Sequence, residues 1–193
     1  MRVAFLGGSF NPPHAGHQLA CLLLLEMEGF EQVWLVPCYR HAFSKQLAEF
    51  SHRVQMCRRM ARPFGERVVV EQIERELLDE GVNRTAATLD LLAGRHPQDD
   101  ITLVVGSDLI GELDQWKDFQ RIVARHQLLV LPRTGYSYER GPWRVAGLRL
   151  PEVSSTQLRR RLAAGQSIDG LVPTAVAEYI SLHGLYATNG SGD

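Results

Sequence analysis

The feature that most constrains the fold is the alternation of short apolar runs with longer amphipathic stretches along the chain. Such a pattern is typical of strands that alternate with helices along the chain, and therefore of a parallel sheet. The runs ITLVV at 101–105 and LLVL at 128–131 are almost continuously apolar, as expected when helices cover both faces of a sheet. We therefore predict an α/β fold, a doubly wound parallel sheet with helices on both faces.

The apolar runs and amphipathic stretches also locate the individual elements. Six strands are predicted, the last from the weakest pattern: Arg2–Leu6, Gln32–Pro37, Arg67–Glu71, Ile101–Val105, Gln127–Leu131 and Gly147–Leu150. Six helices are predicted: His14–Glu28, Ser51–Ala61, Thr85–Ala93, Phe119–Ala124, Ser155–Ala164 and Pro173–His183. The connection over 38–50 lacks periodicity. Because long loops in compact domains are often functional, we interpret it as a substrate loop.

The length of 193 residues matches one domain with a substantial core. We predict a single domain over 1–187 and a disordered tail over 188–193, whose Asn, Gly and Ser residues cannot build a core. The longest apolar run, at 19–25, is too short to span a membrane. The first strand reaches its glycine pair before a signal-peptide core can form, so we expect a cytoplasmic protein without a membrane partner.

Charge and cysteine content exclude several classes of partner and site. The net charge of −1 gives no electrostatic reason to expect binding to nucleic acid or to anionic lipid. The three cysteines, Cys21, Cys38 and Cys57, are an odd number without Cys-x-x-Cys spacing. They therefore predict neither a disulfide framework nor a structural metal site, and we interpret them as buried free thiols.

The segment at 7–17, GGSFNPPHAGH, connects the first predicted strand to an apolar helix. Open α/β sheets bind ligands beyond the carboxyl ends of their strands, and paired glycines let the backbone approach a ligand closely. We expect Pro13 at the first helical position, and His14 and His17 on one face of the first turn. Because helix N-termini bind anions, the segment predicts a phosphate site with two imidazoles beside it.

The same segment lacks two other phosphate-binding patterns. It contains neither G-x-x-x-x-G-K-[ST] nor G-x-G-x-x-G, so it supports neither a P-loop ATPase nor an ordinary dehydrogenase. Its glycine and proline pairs taken alone are explained as well by a simple turn. The complete eleven-residue pattern favours the phosphate site.

Residues 8–17, GSFNPPHAGH, resemble the G-x-F-[DN]-P-x-H-x-G-H signature of the nucleotidyltransferase superfamily. Members of that superfamily attach AMP or CMP to a phosphorylated acceptor and release pyrophosphate. Residues 153–159, VSSTQLR, resemble the superfamily element that closes over the ATP phosphates. Over nearly its whole length the chain is similar to one branch, the bacterial nicotinate mononucleotide adenylyltransferases, through GSD at 106–108, Trp116, LPRTGY at 131–136 and the closing segment 179–186.

The resemblance implies a Rossmann-like fold and adenylyl transfer from ATP to nicotinate mononucleotide, a reaction of NAD biosynthesis. It implies that His17 donates to the α-phosphate, that His14 holds the triphosphate and that Arg159 binds the departing phosphates. The implied ATP-binding residues are Gly8, Ser9, Phe10, His14, His17, Gly106, Asp108, Ser155, Thr156 and Arg159. The implied acceptor-binding residues are Lys45, Thr85, Asp108, Trp116 and Arg133. Mg²⁺ is expected to be carried with ATP, held by phosphate oxygens and water.

Two departures from the branch pattern fall on the acceptor side. Asn83-Arg84-Thr85 stands where members often have Ser-Tyr-Thr, and HAFSK at 41–45 stands where they often have Pro-Pro-His-Lys. They leave open the same transfer to nicotinamide mononucleotide or phosphopantetheine. A non-catalytic nucleotide sensor is a further alternative, but it would be expected to lose His17 or Arg159. The sequence also leaves open a homo-oligomer and the roles of Arg84, Arg160, Arg161 and the three cysteines.

The nicotinate form of the acceptor is the expected one. Asn83 is a good N-cap for a helix that begins near Thr85. Free amides and the dipole at such a helix start favour a carboxylate over a carboxamide. One mismatched hydrogen bond costs about 1–3 kcal/mol, which predicts discrimination on the order of 10-fold to 100-fold.

Overall fold

The computed structural model describes residues 1–39, 47–80, 85–137 and 141–187, with the backbone alone at 78–80. The strands in these segments are β1 (Arg2–Gly8), β2 (Gln32–Pro37), β3 (Val68–Val70), β4 (Asp100–Gly106), β5 (Leu128–Leu131) and β6 (Arg144–Val145). The α-helices are α1 (Ala15–Glu26), α2 (Phe50–Ala61), α3 (Thr85–Arg95), α4 (Phe119–Arg125), α5 (Ser155–Ala163) and α6 (Thr174–Leu182). Short 3₁₀ helices, which the sequence did not predict, span Arg62–Arg67, Ile73–Glu80 and Ser107–Gln115.

The six strands form one parallel sheet in the order β3-β2-β1-β4-β5-β6. The chain therefore runs from β1 outwards to β3, returns to the other side of β1 and continues from β4 to β6. The direction of winding reverses between β1 and β4, where open α/β sheets bind ligands beyond the carboxyl ends of the strands. The predicted doubly wound parallel sheet is confirmed.

Side chains of β1 alternate between the two faces of the sheet. Ala4 and Leu6 belong to a buried cluster that includes residues of α1, α2, α5 and α6. Val3 and Phe5 belong to a second cluster, which includes residues of α3 and α4. Because successive strand residues point to opposite faces, an uninterrupted apolar strand can support a helix layer on each side. This explains why the central strands show no apolar-polar alternation.

Two details of the predicted elements are wrong. The sixth strand is Arg144–Val145 rather than Gly147–Leu150, and Leu150 makes only an isolated bridge with Arg133. The observed strand consists of two exposed residues at the edge of the sheet. Because these residues are not buried, the sequence has no apolar run that would indicate the strand. Pro13 does not occupy the first helical position, because α1 begins at Ala15 and His14 is its N-cap.

Among the described residues, none of the helices has the length and apolar character needed to cross a membrane. The three cysteines are free thiols; Cys21 and Cys57 are buried, whereas Cys38 is partly exposed, unlike the prediction. Cys38 lies just beyond the carboxyl end of β2, in a connection rather than in the core. The predicted tail over 188–193 lies outside the described residues.

Candidate active site

The loop from Ser9 to His14 crosses the carboxyl edge of the sheet between β1 and α1. Phe10 has a positive φ of 45° and is 1% exposed. Its ring lies 4.9 Å from the ring of His17, measured between centroids. The side chain of Phe10 therefore supports His17 from the core.

His14 and His17 form a stacked pair at the start of α1, with ring centroids 3.8 Å apart. The backbone N–H of His14 donates to Nδ1 of His17 at 3.2 Å. An imidazole that accepts at Nδ1 carries its proton at Nε2 when it is neutral. His17 therefore presents an Nε2–H donor.

Both imidazoles are held in the neutral form. Burial and the positive charge of Arg133 lower the pKa of His14 to about 3. Burial, His14 and Arg133 lower the pKa of His17 well below its ordinary value. A phosphate at this position would therefore meet neutral donors, and its charge would have to be balanced by arginine and by helix N-termini.

Gly16 lets the ring of His14 lie against the first turn of α1. A Cβ at this position would lie 3.0 Å from Nδ1 of His14, closer than ordinary side-chain packing. That Nδ1 is buried and has no hydrogen-bond partner within the described part of the chain. Unpaired buried polar atoms are uncommon in proteins and call for an explanation. Here the unpaired atom lies in the predicted phosphate site.

The second motif is positioned by a strong helix cap. The hydroxyl of Ser154 accepts from the N–H of Gln157, and the side chain of Gln157 accepts from the N–H of Ser154, both at 3.2 Å. This reciprocal capping box fixes the start of α5. The following residues, 155, 156 and 159, are thereby presented at a helix N-terminus.

Side chains of α5 hold the opening loop by its main chain. The hydroxyl of Ser155 donates to the carbonyl of Pro12 at 2.8 Å. Nη1 of Arg159 donates to the carbonyl of Asn11 at 2.7 Å, and its Nη2 donates to the hydroxyl of Thr156 at 3.2 Å. The structure thus brings together the two motifs that the sequence places at opposite ends of the chain.

The carboxyl end of β4 contributes a third group of residues. A Cβ on Gly106 would collide with the carboxylate of Asp108, so glycine is required for that carboxylate to fold back over the strand end. Asp108 pairs with Nη1 of Arg133 at 2.7 Å, and Nη2 of Arg133 donates to the carbonyl of Val153 at 2.9 Å. Arg133 thus connects the end of β4 to the second motif.

Comparison with known proteins agrees with this geometry. The family model described as Cytidylyltransferase-like matches residues 5–161. A protein of Anaeromyxobacter dehalogenans named "Probable nicotinate-nucleotide adenylyltransferase" is 42% identical over 95% of this chain and 96% of its own length. Proteins of the same name from Myxococcus xanthus and Thermus thermophilus are 40% and 35% identical over 96% of this chain and 95% and 100% of theirs. The chain belongs to the cytidylyltransferase-like family, among the nicotinate-nucleotide adenylyltransferases.

Solved structures show the same fold. The "Plasmodium falciparum nicotinic acid mononucleotide adenylyltransferase complexed with NaAD" aligns with a TM-score of 0.81 at 19% identity, over 96% of this chain and 97% of that one. The same enzyme "complexed with APC" aligns with a TM-score of 0.78 at 18% identity, over 96% of each chain. The Rossmann-like nucleotidyltransferase fold implied by the sequence is confirmed.

The predicted acceptor-binding residues of this adenylyltransferase family member are less tightly grouped. Thr85 is the first residue of α3, and Trp116 follows the 3₁₀ helix that begins after β4; both are half-buried. Trp116 packs against the core cluster between the sheet and helices α3 and α4. Lys45 lies outside the described residues, as do the neighbours of Thr85 at positions 83 and 84.

Arg53 is a site-forming residue that the sequence analysis missed. It lies on α2 and is 1% exposed, and it donates to the carbonyls of Ser9 and Cys38 at 2.9 and 2.7 Å and to that of Ala48 at 2.9 Å. Arginine is seldom fully buried in proteins. Here the buried guanidinium of Arg53 joins the loops that follow β1 and β2 through their carbonyls. The sequence signal that could have identified Arg53 is its helical spacing from the apolar positions 56, 57 and 60, which places it on the buried face of α2.

Protein ligands for a metal ion are not grouped in this site. Among the described residues, three or more His, Cys, Asp or Glu side chains nowhere lie close enough together to hold a metal ion.

Proposed function

We propose that the chain transfers the adenylyl group of ATP to nicotinate mononucleotide and forms nicotinate adenine dinucleotide and pyrophosphate. The observation that carries the proposal is the bond from Arg159 on α5 to the main chain of the opening loop at Asn11. It joins two anion-binding helix starts, those of α1 and α5, beside the neutral donor of His17. Family membership supports the same activity.

The reaction needs no covalent enzyme intermediate. An oxygen of the acceptor phosphate attacks the α-phosphorus in line, an oxygen-phosphorus bond forms, and the bond to the bridging oxygen of pyrophosphate breaks. The protein contributes position and charge stabilisation. Nε2–H of His17 donates to a non-bridging oxygen of the α-phosphate, where negative charge develops.

The remaining phosphate-side residues hold the triphosphate. His14 contacts it at the start of α1, and the backbone at Gly8, Ser9 and Phe10 borders it from the end of β1. Arg159 receives the departing pyrophosphate together with Ser155 and Thr156, whose backbone amides open α5. Mg²⁺ enters with ATP as part of the substrate and neutralises phosphate charge.

The acceptor lies on the other side of the crevice, near the ends of β4 and β5. Trp116 offers an aromatic face on which a pyridine ring can stack. Thr85 begins α3, whose free amides favour a carboxylate on that ring. Asp108 and Arg133 lie between the nucleotide and the acceptor, and Lys45 completes the proposed acceptor set.

The decisive experiment measures pyrophosphate release with ATP·Mg²⁺ and a panel of acceptors: nicotinate mononucleotide, nicotinamide mononucleotide and phosphopantetheine. We expect kcat/KM for the nicotinate form to exceed that for the amide form on the order of 10-fold to 100-fold. Mass spectrometry must identify the dinucleotide product. Equal values, or a preference for the amide form, would overturn the acceptor assignment. ATP binding without turnover on any acceptor would instead indicate a nucleotide sensor.

A further inference from the structure

The C-terminal segment Gly184-Leu185-Tyr186 returns from α6 to the opening loop. Gly184 and Tyr186 both have positive φ, 57° and 65°, so the chain turns sharply after the helix. The half-buried Tyr186 donates its hydroxyl to Oδ1 of Asn11 at 2.7 Å. Burial raises the pKa of this hydroxyl, which keeps it protonated and able to donate. A residue near the end of the chain thus contacts the motif near its beginning.

Asn11 is the point at which this contact meets the site. It is 1% exposed, and its Oδ1 also accepts from the backbone N–H of Ala48 at 3.0 Å. Its main-chain carbonyl accepts from Arg159 at 2.7 Å. Ala48 lies two residues before the start of α2, and its own carbonyl is bonded to Arg53. Asn11 therefore joins Arg159, the connection after β2 and the C-terminal turn.

The hydroxyl of Tyr186 is one of the donors that hold Oδ1 of Asn11 in place. Without it, Oδ1 of Asn11 loses an acceptor contact that it makes alongside the Ala48 bond, and the side chain is held less firmly. The loop between Phe10 and Pro12 then loses a restraint on the residue whose carbonyl anchors Arg159. Because catalysis of phosphoryl transfer depends on positioning, a small displacement here reaches the reacting groups.

We propose that Tyr186 is a positioning residue of the adenylyl-transfer site, acting through Asn11 on Arg159 and on Ala48. The inference rests on the proposed function and adds to it a residue outside both nucleotide-binding motifs. It assigns the closing turn of the chain a part in positioning the opening loop.

Tyr179 provides a matched control on the same C-terminal part of the chain. It is a buried tyrosine of α6, and its hydroxyl lies 2.9 Å from Nδ1 of His52 on α2. Tyr179→Phe therefore removes one hydroxyl and one hydrogen bond between helices, as Tyr186→Phe removes one between the turn and the loop. Only the second bond reaches the opening loop.

The test compares Tyr186→Phe with Tyr179→Phe in the full chain. Both variants are expected to lower Tm by a similar, small amount, since each loses one neutral hydrogen bond. Tyr186→Phe is expected to lower kcat/KM for ATP about threefold to tenfold, with a fall in kcat at saturating substrates. Tyr179→Phe is expected to keep the wild-type values. Equal kinetics for the two variants at comparable Tm would show that Tyr186 is purely structural.

Amide hydrogen exchange supplies a readout that needs no turnover. We expect the Ala48 amide to exchange several-fold faster in Tyr186→Phe than in wild type or Tyr179→Phe, because the shared acceptor is loosened. Unchanged exchange at Ala48 would overturn the proposed route through Asn11. If the wild type released no pyrophosphate with any acceptor, the proposed function would fail by itself. The exchange and the Kd for ATP, measured by calorimetry, would then still decide whether Tyr186 positions the loop.

Discussion

The phosphate side and the acceptor side of the crevice are held together in different ways. On the phosphate side, side chains from distant helices bond main-chain carbonyls of the opening loop at Ser9, Asn11 and Pro12. On the proposed acceptor side, an ion pair joins Asp108 and Arg133, whose side chains are 24% and 22% exposed, and Arg133 also donates to the carbonyl of Val153. The first region is restrained through several main-chain carbonyls of one loop, whereas the second depends mainly on charged side chains at the surface of the crevice.

This difference indicates which kinds of substitution each side of the crevice can tolerate. A main-chain carbonyl is present whatever residue occupies the position, so the shape of the opening loop depends on the residues that donate to it. The acceptor side depends on the identity of its own side chains. The two departures from the family pattern, at 41–45 and 83–85, both fall on the acceptor side. The proposed phosphate site is thus held by helices packed against its loop, and the proposed acceptor site depends on individual side chains.

The largest effect is expected from removal of the His17 donor. His17→Ala should lower kcat about 10²-fold, because a donor aimed at developing charge is lost. His17→Asn keeps an acceptor near the position of Nδ1 for the His14 N–H but has no group near Nε2, so it should lose as much activity. His17→Gln can place an N–H near the position of Nε2 and should retain more. Steady-state kinetics checks the order.

Thermal unfolding of the three His17 variants provides the control for this series. If all three lose activity in proportion to lost stability, His17 is a helix cap rather than a donor. A fully active, folded His17→Ala protein would refute the assignment of the phosphate site.

A smaller effect is expected from Arg159→Lys. Lysine keeps the charge but cannot bond both the Asn11 carbonyl and a phosphate with a planar fork, so kcat/KM for ATP should fall about 20-fold. The matched control is Arg160→Lys, since Arg160 is the exposed neighbour on α5. Similar values for the two variants would place Arg159 among the solvated arginines of this helix.

On the acceptor side, Trp116→Ala is expected to raise KM for nicotinate mononucleotide about fivefold to tenfold while KM for ATP stays close to the wild-type value. Trp116→Phe should recover most of the loss, because a smaller ring still stacks. A rise in both KM values would contradict the assignment of Trp116 to the acceptor side alone. No rise in either value would show that Trp116 does not contact the acceptor.

The smallest effect concerns stability below pH 6.5. The folded His17 resists protonation, whereas the unfolded chain takes up the proton near the ordinary pKa. The unfolded state then binds more protons, so the free energy of unfolding falls as the pH falls. Between pH 6.5 and 5.5 one such histidine contributes a fall of about 1 kcal/mol. In urea titrations, His17→Asn should therefore be less sensitive to this pH step than wild type by that amount, and an equal sensitivity would contradict the depressed pKa.

Elements with a regular pattern were predictable. The first five strands and all six α-helices of the described chain begin within two residues of their predicted starts. Where the pattern was weak, prediction failed: the edge strand Arg144–Val145 has no buried run. Pro13 was expected at the first helical position, but His14 is the N-cap of α1 and its N–H is bonded to His17. Local periodicity reports burial, and it carries little information where burial is absent or where a side chain decides the boundary.

The sequence by itself determined the fold class and, through its two motifs, the family, and it predicted which residues form a phosphate site. Only the tertiary structure decided how these residues are held. Arg53 looked like one of many arginines and Tyr186 like the end of a helix motif, yet both reach the opening loop. Arg53 and Ser9 are separated by 44 positions in the sequence, and Tyr186 and Asn11 by 175. Such contacts do not alter the local periodicity of the sequence. Folding creates them by way of a sheet whose strand order the sequence does not display.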